Sequence, residues 1–266
     1  MSNTQASLRL IQMPGWAAAS ASKLDFEKRE VIQLDNHIVS PSDKKSNYSI
    51  IGEGSSAGGV YAKVKVVGDS TFNNDLYCDQ FKCTGTSVIY GSLESNDINI
   101  TGTLTLTERV IGPEDESGSG VSGLHAKAEK MKVVGEFHLP GDCQAENIKL
   151  NGRFTVGGML TAEQMTLKIM GPSEAMEIGG SIISVKSGRG KLLDGWFASN
   201  ASNPSILKVS LIEGDDIELE NTVAEVVRGD KIKIGPGCRI GTVEYRSSLQ
   251  IHSQSEVLVQ RNRSVD

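Results

Sequence analysis

The residues whose types and spacing could do chemistry fall in a few places. Gly118-Ser-Gly120-Val-Ser-Gly123 has the G-x-G-x-x-G spacing of a dinucleotide-binding turn. That use requires a strand before it, a helix after it and an acidic residue about 20 positions on. Here the glycines close an acidic Gly/Ser segment, Gly112-Pro-Glu-Asp-Glu-Ser-Gly-Ser-Gly120, and lead into alternating apolar residues. They read as a turn. Asp215-Asp216 is the best acidic pair for glycoside hydrolysis, which needs two carboxylates flanking the scissile bond. It stands at a turn before a strand, however, and Trp16 and Trp196 are the only tryptophans for a sugar platform. His37, His125, His138 and His252 form no Ser/His/Asp or Cys/His set that spacing can assemble. Cys78, Cys83, Cys143 and Cys238 follow no zinc or redox spacing. The expectation is no catalytic residue, no metal site and no cofactor.

One further motif, Ile234-Gly-Pro-Gly-Cys-Arg-Ile240-Gly241, resembles a single hexapeptide turn of a left-handed β-helix acyltransferase. Such enzymes use a histidine facing a cleft between subunits, and none of the four histidines lies in a Gly-rich acceptor loop. Composition points the same way. Of 266 residues only 5% are aromatic, whereas 29 are glycine. A core of Val, Ile, Leu and Thr with glycine at the turns suits many short strands. The net charge of −6 and the lack of any Lys/Arg run longer than Lys44-Lys45 argue against nucleic acid as a partner. Residues 1–20 lack a charged start and a continuous apolar core, so no leader is expected there. No run of 18 apolar residues exists to span a membrane as a helix. The cysteine usage fits a reduced, cytosolic chain.

What must position these residues is a repeat. Glycine recurs at a near-constant interval, at Gly68, Gly85 and Gly102, then at Gly118, Gly135 and Gly152. Two positions before them stand Val66, Cys83, Ile100, Val133 and Leu150, and four before stand Val64, Phe81, Ile98, Met131 and Ile148. Met165 and Leu167 continue these two columns. Within each coil the apolar residues alternate, as in Ile98-Asn-Ile100 and Leu104-Thr-Leu106, which is strand periodicity. Fixed period and alternation together predict an all-β, parallel β-helix (solenoid) with coils of roughly 17 residues. Each coil buries its apolar face only by stacking on its neighbours. The glycine falls where the backbone must turn sharply.

The organisation follows. Residues 1–47 lie outside the repeat and read as a largely flexible tail, with a membrane-touching or partner-docking segment as the alternative. The coils run over 48–186. Gly118 falls only one position short of a full period after Gly102, so the acidic loop 112–120 is counted as a coil that bulges outward. Residues 187–205 form a link. Alternation resumes over 206–260, where Ile217, Ile232 and Leu249 keep nearly the same interval. These coils are expected to stack on the same solenoid, two separate β domains being the alternative. Residues 261–266 are a short tail.

The 17-residue coils, the opening Tyr48-Ser-Ile-Ile-Gly-Glu-Gly54, the segments Gly214-Asp-Asp-Ile-Glu-Leu-Glu-Asn-Thr222 and Val227-Arg-Gly-Asp-Lys-Ile-Lys-Ile-Gly-Pro-Gly237, and Val243-Glu-Tyr-Arg246 resemble the bactofilins. These are bacterial polymer-forming cytoskeletal proteins, and the resemblance covers roughly residues 48–260. It implies a triangular right-handed β-helix that assembles end to end, without nucleotide, into nonpolar filaments. It further implies a scaffold in the cytoplasm, with itself or a related chain as partner and contact at the inner face of the membrane. The chain departs from the compact family pattern in its long N-terminal tail, its acidic insertion and its extended C-terminal portion. The end coils are the expected polymer contact, with Ile50 and Val60 near the start and Val257 and Val259 near the finish. Trp196 and Phe197 in the link are either a cap on the core or a docking point for a partner. A non-polymeric β-solenoid that binds a protein or glycan is the competing expectation, and a β-helix enzyme the third.

Overall fold

The computed structural model describes residues 45–108, 123–188 and 205–263. These form eleven strands in a single sheet, each hydrogen-bonded to the next in chain order, β1 to β11. Every pairing is parallel. The architecture is therefore a parallel β-solenoid, and the described residues contain no helix. The strands are β1 (Asn47–Ser56), β2 (Gly59–Phe72), β3 (Leu76–Tyr90), β4 (Leu93–Thr107), β5 (His125–Leu139) and β6 (Asp142–Ile169). They continue as β7 (Ser173–Ser187), β8 (Leu207–Leu219), β9 (Thr222–Ile234), β10 (Arg239–Ile251) and β11 (Glu256–Asn262). Most run 13 to 15 residues, nearly a whole coil, so the ladder continues through the corners.

The recurrent glycines explain how a strand turns without breaking its pairing. Gly52, Gly68, Gly85, Gly102, Gly135 and Gly152 stack in register. All six have positive φ, from 87° at Gly52 to 153° at Gly152. Only glycine adopts that bend cheaply. A Cβ on Gly85 would also collide with the carbonyl oxygen of Gly68, and the same holds at each rung down to Gly152. From Gly68 to Gly152 two independent requirements thus demand glycine at this position of the coil.

The inward columns follow from the same register. Val64, Phe81, Ile98, Met131 and Ile148 stack on one another, as do Val66, Cys83, Ile100, Val133 and Leu150. Met165 pairs with Ile183 and Leu167 with Val185 further along. All twelve expected core residues are buried. Column volumes compensate for one another. The column Ser70–Ser87–Leu104–Phe137–Phe154 widens toward the C-terminus, while Phe72 and Phe81 fill the neighbouring columns near its narrow end. A close-packed interior requires such trading, since a void of one side chain costs about 2–5 kcal/mol.

Two joins in the ladder decide how the coils are counted. Gly102 pairs directly with Gly135, so no coil intervenes at Gly118. The acidic segment 112–120 is therefore not a rung, because it offers no alternating apolar residues to fill the inward columns. It lies outside the described residues, within 109–122. Likewise Ser173 pairs with Leu207, so β7 meets β8 directly and residues 206–260 extend the same sheet. The coil length then varies. Ile212 pairs with Val227, Val223 with Arg239 and Arg239 with Glu256, so the step lengthens by one position from each of these pairs to the next.

Candidate functional site

A solenoid built from one ladder has two special places, its first and last strands. β1 pairs with β2 alone and β11 with β10 alone among the described residues. A strand that pairs on one side only is the feature that templates strand addition.

The two ends are closed differently. At β1 the core is roofed by aromatics. Tyr48 lies 5.1 Å from Tyr61 and 6.4 Å from Phe72, and Phe72 lies 6.1 Å from Phe81, ring centre to ring centre. Of the expected contact residues, Ile50 points inward and is buried, so the apolar side chain that this strand exposes is its neighbour Ile51, at 81%. Val60 on β2 is exposed. At the other end Val257 is half-buried against the core, while Leu258 and Val259 are exposed.

An ion-pair cluster also links the last coils. Glu244 on β10 accepts from Arg228 on β9 at 2.9 Å, from Arg261 on β11 at 3.4 Å and from Arg263 at 3.0 Å. The Arg228 hydrogen bond, with the other two guanidiniums, holds the Glu244 carboxyl below the usual carboxylate range despite its burial. Arg228 also reaches Glu213 on β8 at 3.2 Å. Glu218 is lowered in the same sense by Lys233 and Lys186. Neither cluster was legible in the sequence, because the partners are separated by whole coils.

Register also creates a constellation that spacing could not suggest. Ser92, in the turn before β4, places Oγ 3.2 Å from Nδ1 of His125, and Nε2 of His125 lies 3.0 Å from Glu94. A serine, an imidazole and a carboxylate thus meet where β4 pairs with β5. Ser92 is buried, and its Oγ accepts the backbone N–H of His125 at 3.2 Å. Its own backbone N–H is taken by Asp75 at 2.7 Å. The arrangement clamps the point at which the chain re-enters the ladder.

The remaining candidates separate. Asp215 and Asp216 lie inside β8, exposed, rather than at a turn before a strand. The Gly-Pro-Gly segment 235–237 is the turn between β9 and β10. His138, near the other end of β5 from His125, and His252 are both exposed. All four cysteines are free and buried. Burial pushes the thiols of Cys78 and Cys83 up to about 11 and that of Cys143 to about 12. Such thiols are protonated, small hydrophobes. No group of three or more His, Cys, Asp or Glu among the described residues could hold a metal ion. His37, Trp196, Phe197 and all but the last glycine of Gly118–Gly123 lie outside the described residues.

Known proteins offer two relatives. The chain is 43% identical over 91 residues to the uncharacterized protein YhbE of Bacillus subtilis strain 168, covering 34% of this chain and 37% of that one. It is 42% identical over 85 residues to the uncharacterized protein YhbF of the same strain, covering 32% and 33%. The aligned part thus spans about a third of each relative's length. No family model matches the chain, and no solved structure matches it.

Proposed function

We propose that this protein is a structural scaffold of the bactofilin kind, which polymerises end to end without nucleotide. The observation that carries the proposal is the single parallel ladder whose first and last strands each pair on one side only among the described residues. Joining two such ends would extend the parallel ladder and shield the terminal inward residues, as strand addition does elsewhere. The resemblance of residues 48–260 to bactofilins supports the same reading. Its partners are then further copies or a related chain, in the cytoplasm and at the inner face of the membrane. The four free buried thiols agree with a reducing compartment. The role is structural, with no catalytic step.

Electron microscopy of the purified full chain without nucleotide is the direct test, with filaments expected. A strictly monomeric species at micromolar concentration overturns the proposal. Val60→Lys and Val259→Lys put a charge at either end without touching the buried columns. Each should shorten the filaments while leaving the circular-dichroism spectrum unchanged.

A further inference from the structure

The solenoid carries two charged stripes side by side along one corner. Lys82 on β3, Lys132 on β5 and Lys149 on β6 stand in one outward column, with Asn99 of β4 taking the intermediate rung. Three positions earlier in the same coils stand Asp79, Glu129 and Glu146, with Asn96 on the β4 coil. Over these four coils the charges match rung by rung. A coil with lysine in one stripe has a carboxylate in the other, and the coil without lysine has asparagine in both. The match stops at β2, where Lys65 continues the lysine column but Ala62 stands in the other.

The three lysines and the two glutamates are exposed and make no ion pair among the described residues. Asp79 alone is engaged, by Lys45 at 2.6 Å. Rungs stand about 4.8 Å apart, so Lys132 directly beside Lys149 is a repulsive cross-strand pair. The stripes stand three positions apart along each coil, and among the described residues no lysine of one is ion-paired with a carboxylate of the other. Between them the column Gln80–Asp97–Lys130–Asn147 carries one charge of each sign. An open groove lined partly by Asp79, Asp97, Glu129 and Lys130 runs along this corner.

We propose that these stripes are a self-complementary lateral contact, by which two solenoids of this chain lie side by side and parallel. A two-fold axis parallel to the solenoid axis exchanges left and right without reversing direction. It therefore sets each lysine stripe against the partner's acidic stripe, rung on rung. Lys82 meets Asp79, Lys132 meets Glu129 and Lys149 meets Glu146, each twice, while Asn99 faces Asn96. Antiparallel packing would set lysine on lysine. The same pattern argues against an anionic membrane or polyanion as occupant, because the carboxylate stripe would be pressed against it. A second copy satisfies both stripes at once. Each exposed pair is weak, but all share one rung spacing and act together.

The test uses charge reversal in the full chain. Lys82→Glu/Lys132→Glu/Lys149→Glu and Asp79→Lys/Glu129→Lys/Glu146→Lys should each weaken lateral association about tenfold or more. An equimolar mixture of the two should restore it. Filament width by electron microscopy and dimer sedimentation are the readouts, with circular dichroism checking the fold. Width and length are separate, so failure of end-to-end growth leaves a sedimenting dimer to be scored. Should a reversed variant misfold, Lys82→Gln/Lys132→Gln/Lys149→Gln serves in its place and must also lose the pairing. Wild-type chain that never pairs laterally overturns the proposal, as does pairing that survives either triple reversal. Loss in the lysine variant alone, or loss that mixing does not rescue, also overturns it.

Discussion

Gly102→Ala isolates the physics of the glycine ladder. At φ of 129° the residue occupies backbone space that costs a non-glycine residue about 1–3 kcal/mol. The new Cβ would also meet the carbonyl oxygen of Gly85 on the neighbouring rung. Relieving that contact means parting two strands and weakening one or two ladder hydrogen bonds, each worth about 1 kcal/mol net. The sum is about 2–5 kcal/mol, a large share of a typical domain stability of about 5–15 kcal/mol. Gly179→Ala is the internal control. Its φ is not left-handed, and its Cβ would find only Thr161 at 4.0 Å. There alanine should be neutral or stabilising by about 0.4–1 kcal/mol, through the unfolded chain. Urea denaturation followed by far-ultraviolet circular dichroism, at one protein concentration, should show the Gly102 midpoint lowered by about 1–2 M. Hydrogen exchange should place the loosening in β3 to β5. An unchanged midpoint for Gly102→Ala, or equal shifts for both variants, would refute the reasoning.

Other expectations rest on other parts of the molecule. Ile100→Asp and Phe81→Arg each bury an unpaired charge in an inward column and should cost more than about 4 kcal/mol, appearing as insoluble or unfolded protein; soluble, cooperative variants would show the columns misplaced. Glu244 and Glu218 have folded values below the unfolded carboxylate range of about 4.3, so their contribution is present above that pH and lost as pH falls through the folded values. Proteolysis in acid should accordingly open the C-terminal coils first, and Glu244→Gln should blunt that dependence; an undiminished acid response in the variant would count against it. The four thiols should resist a disulfide reagent in native protein at pH 8 and react fully in denaturant. Because burial raises their values, their contribution is complete below about pH 8.5 and is lost as pH climbs toward the folded values; rapid native labelling would contradict it.

Much of the fold was legible because the signal is periodic. Val64 to Ile148 and Val66 to Leu150 could be aligned by counting, since a stacked coil must put like residues on like rungs. The acidic segment misled that count. Gly118 falls one position short of the expected spacing, yet β4 pairs directly with β5, and spacing alone cannot tell a coil from an excursion of nearly equal length. The apolar residues exposed at the ends were only partly legible. Ile50 is apolar and lies in the first coil, but strand alternation turns it inward and leaves Ile51 outside. The Ser92–His125–Glu94 clamp and the Glu244 arginine cluster were invisible, because their members come together only through inter-coil register.

The chain's own order of residues determined that this protein stacks. Alternation sets which side chains face inward, and a glycine per coil sets where the backbone turns, both local rules that a linear string can state. Tertiary structure decided which coils touch. Whether Gly102 meets Gly118 or Gly135 depends on which neighbour can fill the inward columns and complete the ladder. From that choice follow the clamp at His125, the charge cluster at Glu244 and the rung-matched stripes of lysine and carboxylate, because pairing across coils is a property of register and not of sequence separation.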